Sequence, residues 1–352
     1  KLLHQTPDPR KKVGGLSLRG RKSGIFNAIL SAAVVELPGE MMNMEMAMSW
    51  RELLGPLQSI QPSAGLGDWY AQVVARTGEQ GPFALAVYGG RMAATPGLAF
   101  LAGYQAALRA LWAAAPEGIG ALCATENRKL YPADMTTRVK GVLLTGCKDF
   151  VTAGASASWL LVPAREEQQG EPVRLGLFVV RPDSAGVQLE TGRLLPLVPD
   201  IPHARLRLEQ ARGERLDGDG WNDYVKPFRS LEDLYVLAAL AAWLLGVGVQ
   251  HHWPQSLVLR LLAVLTGGAE LDRQSPHDPA AHVLLGALIE QFHALRPELD
   301  SALEATAGPW ADLWRRDKGV LGLARNAQAL RLQKAMRAFG ISSEDEAGVQ
   351  RR

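Results

Sequence analysis

The 352-residue sequence predicts an α+β fold: a helical N-terminal domain, a small antiparallel β-sandwich or barrel, and a C-terminal helical bundle. Three observations predict it. Residues 119–163 hold short runs of Val, Leu and Phe parted by Gly and Lys-Asp turn signals, which is the pattern of a β-meander. Apolar residues recur at helical spacing on both sides of that stretch. The candidate strands are many, short and closely spaced, which argues against a parallel βαβ sheet.

Composition narrows the function classes. Hydrophobic residues make up 47% of the chain and charged residues 21%, ordinary values for a soluble globular protein with ample core. A net charge of +2 gives no reason to expect a nucleic-acid partner. Cys123 and Cys147 read as two buried thiols in a reduced compartment, because their spacing suits neither a metal site nor a disulfide framework. No apolar run reaches the ~18 residues that a membrane span requires, so a cytoplasmic location is expected.

Taken in order, residues 1–25 are basic and Gly-rich, a composition that favours disorder. Residues 26–37 have the apolar character of a signal-peptide core. They run into Glu36-Leu-Pro-Gly-Glu40 with no small-residue cleavage pattern. Residues 1–47 are therefore expected to be a disordered or non-native extension, with the folded chain starting near Met48. Residues 48–117 form the first helical domain. Leu53, Leu54 and Leu57 make one short face, and Trp69, Val73 and Val74 another. Pro96 then opens a long Ala-rich helix to Trp112. Gly89-Gly90 is not a nucleotide loop, since no strand precedes it and no Lys-Ser/Thr follows.

Residues 118–212 form the β-domain. Candidate strands are 119–124, 141–145, 147–152, 158–163, 174–181, 186–190 and 203–208, and 213–220 is a polar loop. Asp217-Gly-Asp219-Gly reads as a turn, because the remaining calcium ligands are missing. Residues 213–340 form the helical bundle. Ser230 as N-cap, with Glu232 and Asp233 in an acidic first turn, predicts an apolar helix over 234–249. Further helices are expected at 257–266, 280–295 and 320–339, and 341–352 as a flexible tail. His251-His252 and the His277/His282 pair have no standard metal spacing.

The central stretch carries a family resemblance. Thr125-Glu126, then Thr145-Gly146-Cys147-Lys148, Phe150-Val151-Thr152 and the run from Trp159 to Arg165 stand in the order of the middle domain of the acyl-CoA dehydrogenases. Pro182 to Val187 and Phe228-Arg229 fit the same pattern. The resemblance covers about residues 82–340 in domain order and is specific in 122–165. It implies FAD lying between the β-domain and the C-terminal helices. It further implies that Leu122, Thr125, Phe150 and Thr152 contact the flavin, and that Ala133 and Arg229 approach the substrate.

The same resemblance implies α,β-dehydrogenation of an acyl thioester such as an acyl-CoA. It implies a homodimer or homotetramer and an electron-transfer flavoprotein as acceptor. The departures from the family pattern matter. Asn127-Arg-Lys-Leu-Tyr-Pro-Ala133-Asp134 replaces Pro-x-x-Gly-Ser-Asp. Gln250-His-His-Trp-Pro254 stands where an Arg-x-x-Phe-Gly segment should reach the flavin pyrophosphate. The C-terminal segment that holds the catalytic Glu in most members is missing. A minority of members carry the base on the first long helix of the third domain, which points here to Glu232, with Asp233 beside it. The competing reading of Glu232 is a solvated charge favouring the helix dipole. The competing reading of the whole chain is a non-catalytic scaffold of the same fold, with a weakened or lost flavin site.

Overall fold

The structure, a computed structural model, describes residues 49–129, 131–167, 170–192 and 195–341, all within one compact unit. The expectations for residues 1–47 and for the tail after 341 lie outside the described residues.

Four helices open this part: α1 (Trp50–Leu53), α2 (Leu66–Thr77), α3 (Gly81–Met92) and α4 (Pro96–Leu111). Of the second predicted face, Trp69 and Val73 are buried while Val74 is exposed. Thr95 caps α4, its hydroxyl accepting from the Leu98 N–H. Gly89-Gly90 sits inside α3 as a packing surface. A Cβ on Gly90 would lie 2.1 Å from the Ala239 carbonyl oxygen, so only glycine admits that approach.

Eight strands follow: β1 (Gly120–Leu122), β2 (Arg138–Lys140), β3 (Leu143–Thr152), β4 (Trp159–Arg165), β5 (Leu175–Val180), β6 (Val187–Thr191), β7 (His203–Arg212) and β8 (Glu214–Leu216). They form one sheet in the order β6-β7-β3-β2-β4-β5-β8, with β1 on β4. The pairings are antiparallel except β1–β4 and β2–β4, which run parallel. The two strands expected at 141–145 and 147–152 are one bulged strand, β3. Part of the expected 213–220 loop pairs as β8.

The central strands β4 and β5 are buried on both faces, while β3 and β7 mix buried and exposed residues and β6 holds half-buried and exposed ones. Trp159, Leu161 and Leu177 join the helical core, while Leu160, Val162, Phe178 and Leu206 build a second core on the other side. Cys123 is buried as expected, but Cys147 is exposed; both are free thiols. The alternation of side chains along β3 turns Cys147 outward beside the buried Lys148.

The C-terminal helices are α5 (Lys226–Gln250), α6 (Gln255–Leu271), α7 (Pro279–Glu304), α8 (Trp310–Asp317) and α9 (Arg325–Ala338). Ser230 is not an N-cap. A π-turn at Gly220–Val225 leads into α5, and Asp219 caps that turn by accepting from the Trp221 and Asn222 N–H groups. Pro227 at the start of α5 suits the first helical turn. The continuous helical stretch Gly220–Gln250 is long and apolar enough to cross a membrane, contrary to the sequence-based expectation, but 83% of its apolar window is buried inside the fold.

Asp317, fully buried, accepts from the Val198 N–H at 2.9 Å and from Arg316. Arg316 also bonds Asp200, which receives the Thr95 hydroxyl. This clasp fixes residues 198–200 against the helices.

Candidate active site

The helical period of α5 puts Arg229, Glu232, Asp233, Val236 and Leu237 on one face. That face, the ends of β3 and β7, and the N-terminal part of α9 enclose a cavity of about 880 Å³. Thr125, Phe150, Thr152, Arg229 and Glu232, assigned from distant parts of the sequence, all line it. Ala133 and Leu122 do not. Ala133 is exposed in a 3-10 turn at Pro132–Asp134, and Leu122 is half-buried in β1, where its N–H donates to the Tyr104 hydroxyl at 2.9 Å.

Glu232 lies in the second turn of α5 rather than at its start. The helix-dipole reading therefore loses its basis, since that effect fades within the first turn. Burial raises the carboxyl of Glu232, and the neighbouring charge of Asp233 raises it further, while Arg229 and Arg331 pull the other way. The net result is a pKa pushed up to about 8. Asp233 is raised in the same direction by burial, but it has partners: Gln328 donates to it at 2.8 Å and Arg331 pairs with it. The two adjacent acids therefore differ in environment. Asp233 is tied to α9, and no hydrogen bond ties Glu232 among the described residues. Tyr104, in edge contact with Phe228 at 5.5 Å, is raised by burial and by the charge of Glu232.

On the sheet side, Phe150 is 44% exposed, high for an aromatic ring on a cavity wall. Thr152 pairs in register with His203, which also lines the cavity and which the sequence reading missed. His203 Nδ1 donates to the Ile201 carbonyl at 2.9 Å, and burial lowers the ring's pKa against the opposing pull of that hydrogen bond. The only sequence signal was a His at the head of a strand following Pro202.

The segment that departs from the family pattern has its own logic. Glu126 and Lys129 exchange backbone hydrogen bonds at 2.9 and 2.8 Å. Asn127 and Arg128 between them have φ of 49° and 63°, the signature of a type I′ turn. The turn is anchored to β3: Asp149 N–H donates to the Thr125 carbonyl, and the Asp149 carboxylate accepts from the Arg128 N–H. Residues 250–254, where a pyrophosphate-binding segment was expected, are used for packing. His251 meets Trp310 edge-on at 5.7 Å, and Trp253 donates to Thr306 at 2.9 Å.

No family model matches the sequence, and no curated protein sequence matches it. Solved structures do match. Butyryl-CoA dehydrogenase from Megasphaera elsdenii aligns at TM-score 0.58 and 12% identity, over 77% of this chain and 86% of its own. FkbI, of the biosynthesis of a methoxymalonyl extender unit, aligns at 0.55 and 18%, over 77% and 90%. The prolyl acyl carrier protein oxidase AnaB aligns at 0.52 and 16%, over 78% and 88%. The chain has the acyl-CoA dehydrogenase fold.

Proposed function

We propose that this chain is a flavin-dependent dehydrogenase that introduces an α,β double bond into an acyl thioester, with Glu232 as the base. One observation carries the reading: Glu232, with no hydrogen bond among the described residues and its pKa pushed up to about 8, lines one cavity with Thr125, Phe150 and Thr152. A carboxyl group with that proton affinity suits general-base work near neutral pH. The structural likeness to butyryl-CoA dehydrogenase and to a carrier-protein oxidase supports the same general chemistry.

The cavity wall suits a flavin ring. It offers an exposed aromatic face in Phe150, two threonine hydroxyls and a volume within the usual range of ligand sites. Thr125, Phe150 and Thr152 would hold the ring. The far end of the cofactor lacks its family segment in this chain, since residues 250–254 are committed to packing, so affinity for FAD is expected to be modest. A flavin bound there supplies the acceptor for the hydride that leaves the β-carbon.

The protein's own residues do the rest. Glu232 takes the α-proton. Arg229, one turn earlier, offers donors to the thioester oxygen, which makes that proton acidic enough to remove. Apolar Val236, Leu237 and Phe292 exclude water around the acyl chain. In this reading the enzyme is a cytoplasmic homo-oligomer that passes its electrons to a flavoprotein acceptor.

The test is the visible spectrum of the purified protein with and without added FAD, followed by bleaching with acyl thioesters. A stoichiometric flavin band that acyl-CoA bleaches supports the reading. A chain that takes up no FAD sinks it, and leaves a scaffold of the same fold.

A further inference from the structure

A second cavity, of about 450 Å³, lies between α7 and α9. Its walls carry three guanidinium groups, from Arg296, Arg325 and Arg331, against one carboxylate, from Glu290. Arg296 and Arg325 have no ion-pair partner among the described residues. The same cations act on the two histidines of the cavity. Burial lowers His282, and Arg331 lowers it further; burial lowers His293, with Arg296 and Arg325 adding to it. Burial is the larger cause at both rings, and the arginine charges add a field that an anion would relieve.

This cavity shares a wall with the larger one. Ile289, His293, Arg325 and Gln328 line both. Asp233 lines only the larger cavity and Arg331 only the smaller, and the two are paired through the wall. Arg331 is incompletely satisfied: its Nη1 is buried without a hydrogen-bond partner.

We infer that the α7–α9 cavity binds a phosphate group, and that Arg331 couples its occupancy to the protonation of Glu232. The inference rests on the proposed function only in taking Glu232 as the base. The coupling has a fixed sign. A phosphate beside Arg331 cancels part of the positive potential that Arg331 exerts on Asp233 and Glu232, or draws Arg331 away from Asp233. Either change strengthens the hold of Glu232 on a proton, so binding must take up protons, and protonation of Glu232 must tighten binding. The other groups around Glu232 are Arg229 and Asp233 on α5 and Tyr104 on α4. Of these, Asp233, raised by burial and paired directly with Arg331, can take up a proton as well, whereas Tyr104, raised by burial, stays neutral at pH 8. Those around the phosphate are Glu290, His282 and His293.

The experiment is calorimetry on the full chain without flavin. Pyrophosphate, CoA and phosphate-free pantetheine are each titrated at pH 8 in two buffers of different ionisation enthalpy. Pyrophosphate and CoA are expected to bind and pantetheine not. Arg296→Gln and Arg325→Gln, neither ion-paired with the acid pair, should each weaken binding about tenfold. Net proton uptake should be larger in the native chain than in Glu232→Gln, whose residual uptake belongs to Asp233 and the histidines. CoA binding tighter than pyrophosphate identifies a carrier's phosphate as the source, and equal affinities identify free phosphate. Failure of both phosphates to bind, or binding indifferent to both arginine substitutions, overturns the site. Equal proton uptake in the native chain and Glu232→Gln overturns the coupling. A chain that binds pyrophosphate but never FAD defeats the dehydrogenase reading and leaves this one standing.

Discussion

Lys148 Nζ lies 2.6 Å from Glu126 Oε1 with both side chains sealed from solvent, at 0% and 2% exposure. Lys148 also donates to the Pro163 carbonyl at 2.7 Å, and Glu126 accepts from Thr136 and Thr137. The pair thus ties the turn after Thr125 to β3, to β4 and to the segment before β2. Burial would raise Glu126, but Lys148 and the Thr136 donors outweigh it and hold the carboxyl below its usual range. Thr125 precedes one partner and Phe150 follows the other, so this buried pair sets the sheet side of the cavity.

Breaking the pair from one side should therefore be costly. Lys148→Met leaves a buried carboxylate without its counter-charge, and the expected loss is about 3–5 kcal/mol in denaturant unfolding. Adding Glu126→Gln to Lys148→Met removes that stranded charge and should restore a large part of the stability. If the single and double variants unfold at the same denaturant concentration, the pair does not organise this wall.

Glu232 gives two predictions of opposite practical sense. As a base it works ionised, so kcat/KM should rise with pH through about 8, and Glu232→Gln should lower kcat by about 10²–10⁴-fold. For stability, the folded pKa lies above the unfolded value of 4.5, so the folded state binds more protons between them. Stability attributable to this group is present below about pH 4.5 and is lost as pH rises through 8. Glu232→Gln should then stabilise the fold at pH 8 by about 2 kcal/mol and do little at pH 5. A variant no more stable than the native chain at either pH would place Glu232 in a solvated setting.

Phe150 tests the cofactor side separately. Its ring is partly exposed and belongs to neither hydrophobic core, so Phe150→Ala should change stability by only about 0.5 kcal/mol. If the ring stacks on a flavin, FAD affinity should fall by up to about tenfold, read by the quenching of flavin fluorescence on titration. Unchanged affinity would move the flavin off this wall.

Much of the cavity was legible because its parts carry local signals. Thr125, Phe150 and Thr152 sit in a patterned strand region, and Glu232 is among the few acids near an otherwise apolar helix. What was hidden is non-local. The ties from Asp233 to Gln328 and Arg331 span 95 and 98 residues, and no periodicity announces them. β2 and β8 are three residues each, too short to show alternation. The start of α5 was misplaced because Ser230 with two acids imitates an N-cap, whereas the chain enters through a π-turn capped by Asp219. Correcting that start moves Glu232 away from the helix end, and its solvated reading goes with it.

The glycines of α3 and α4 decide how closely α5 can approach, and so where Glu232 stands. A Cβ on Gly90 would lie 2.1 Å from the Ala239 oxygen, and one on Gly103 2.6 Å from the Tyr235 oxygen. Both obstacles are backbone, which cannot swing aside as a side chain can. Gly90→Ala should therefore destabilise by about 2 kcal/mol or more, even though alanine favours a helix by about 1 kcal/mol over glycine. Gly67→Ala in α2 is the control, because nothing lies within 4 Å of its Cβ position. There only the propensity gain remains, and the sign should reverse to a stabilisation of about 0.5–1 kcal/mol. Opposite shifts of the unfolding midpoint would show that close α3–α5 contact, rather than helix propensity, sets the position of the helix that carries the acid pair. A stabilising Gly90→Ala would mean that α5 can back away at little cost, and that the cavity wall is looser than its packing implies.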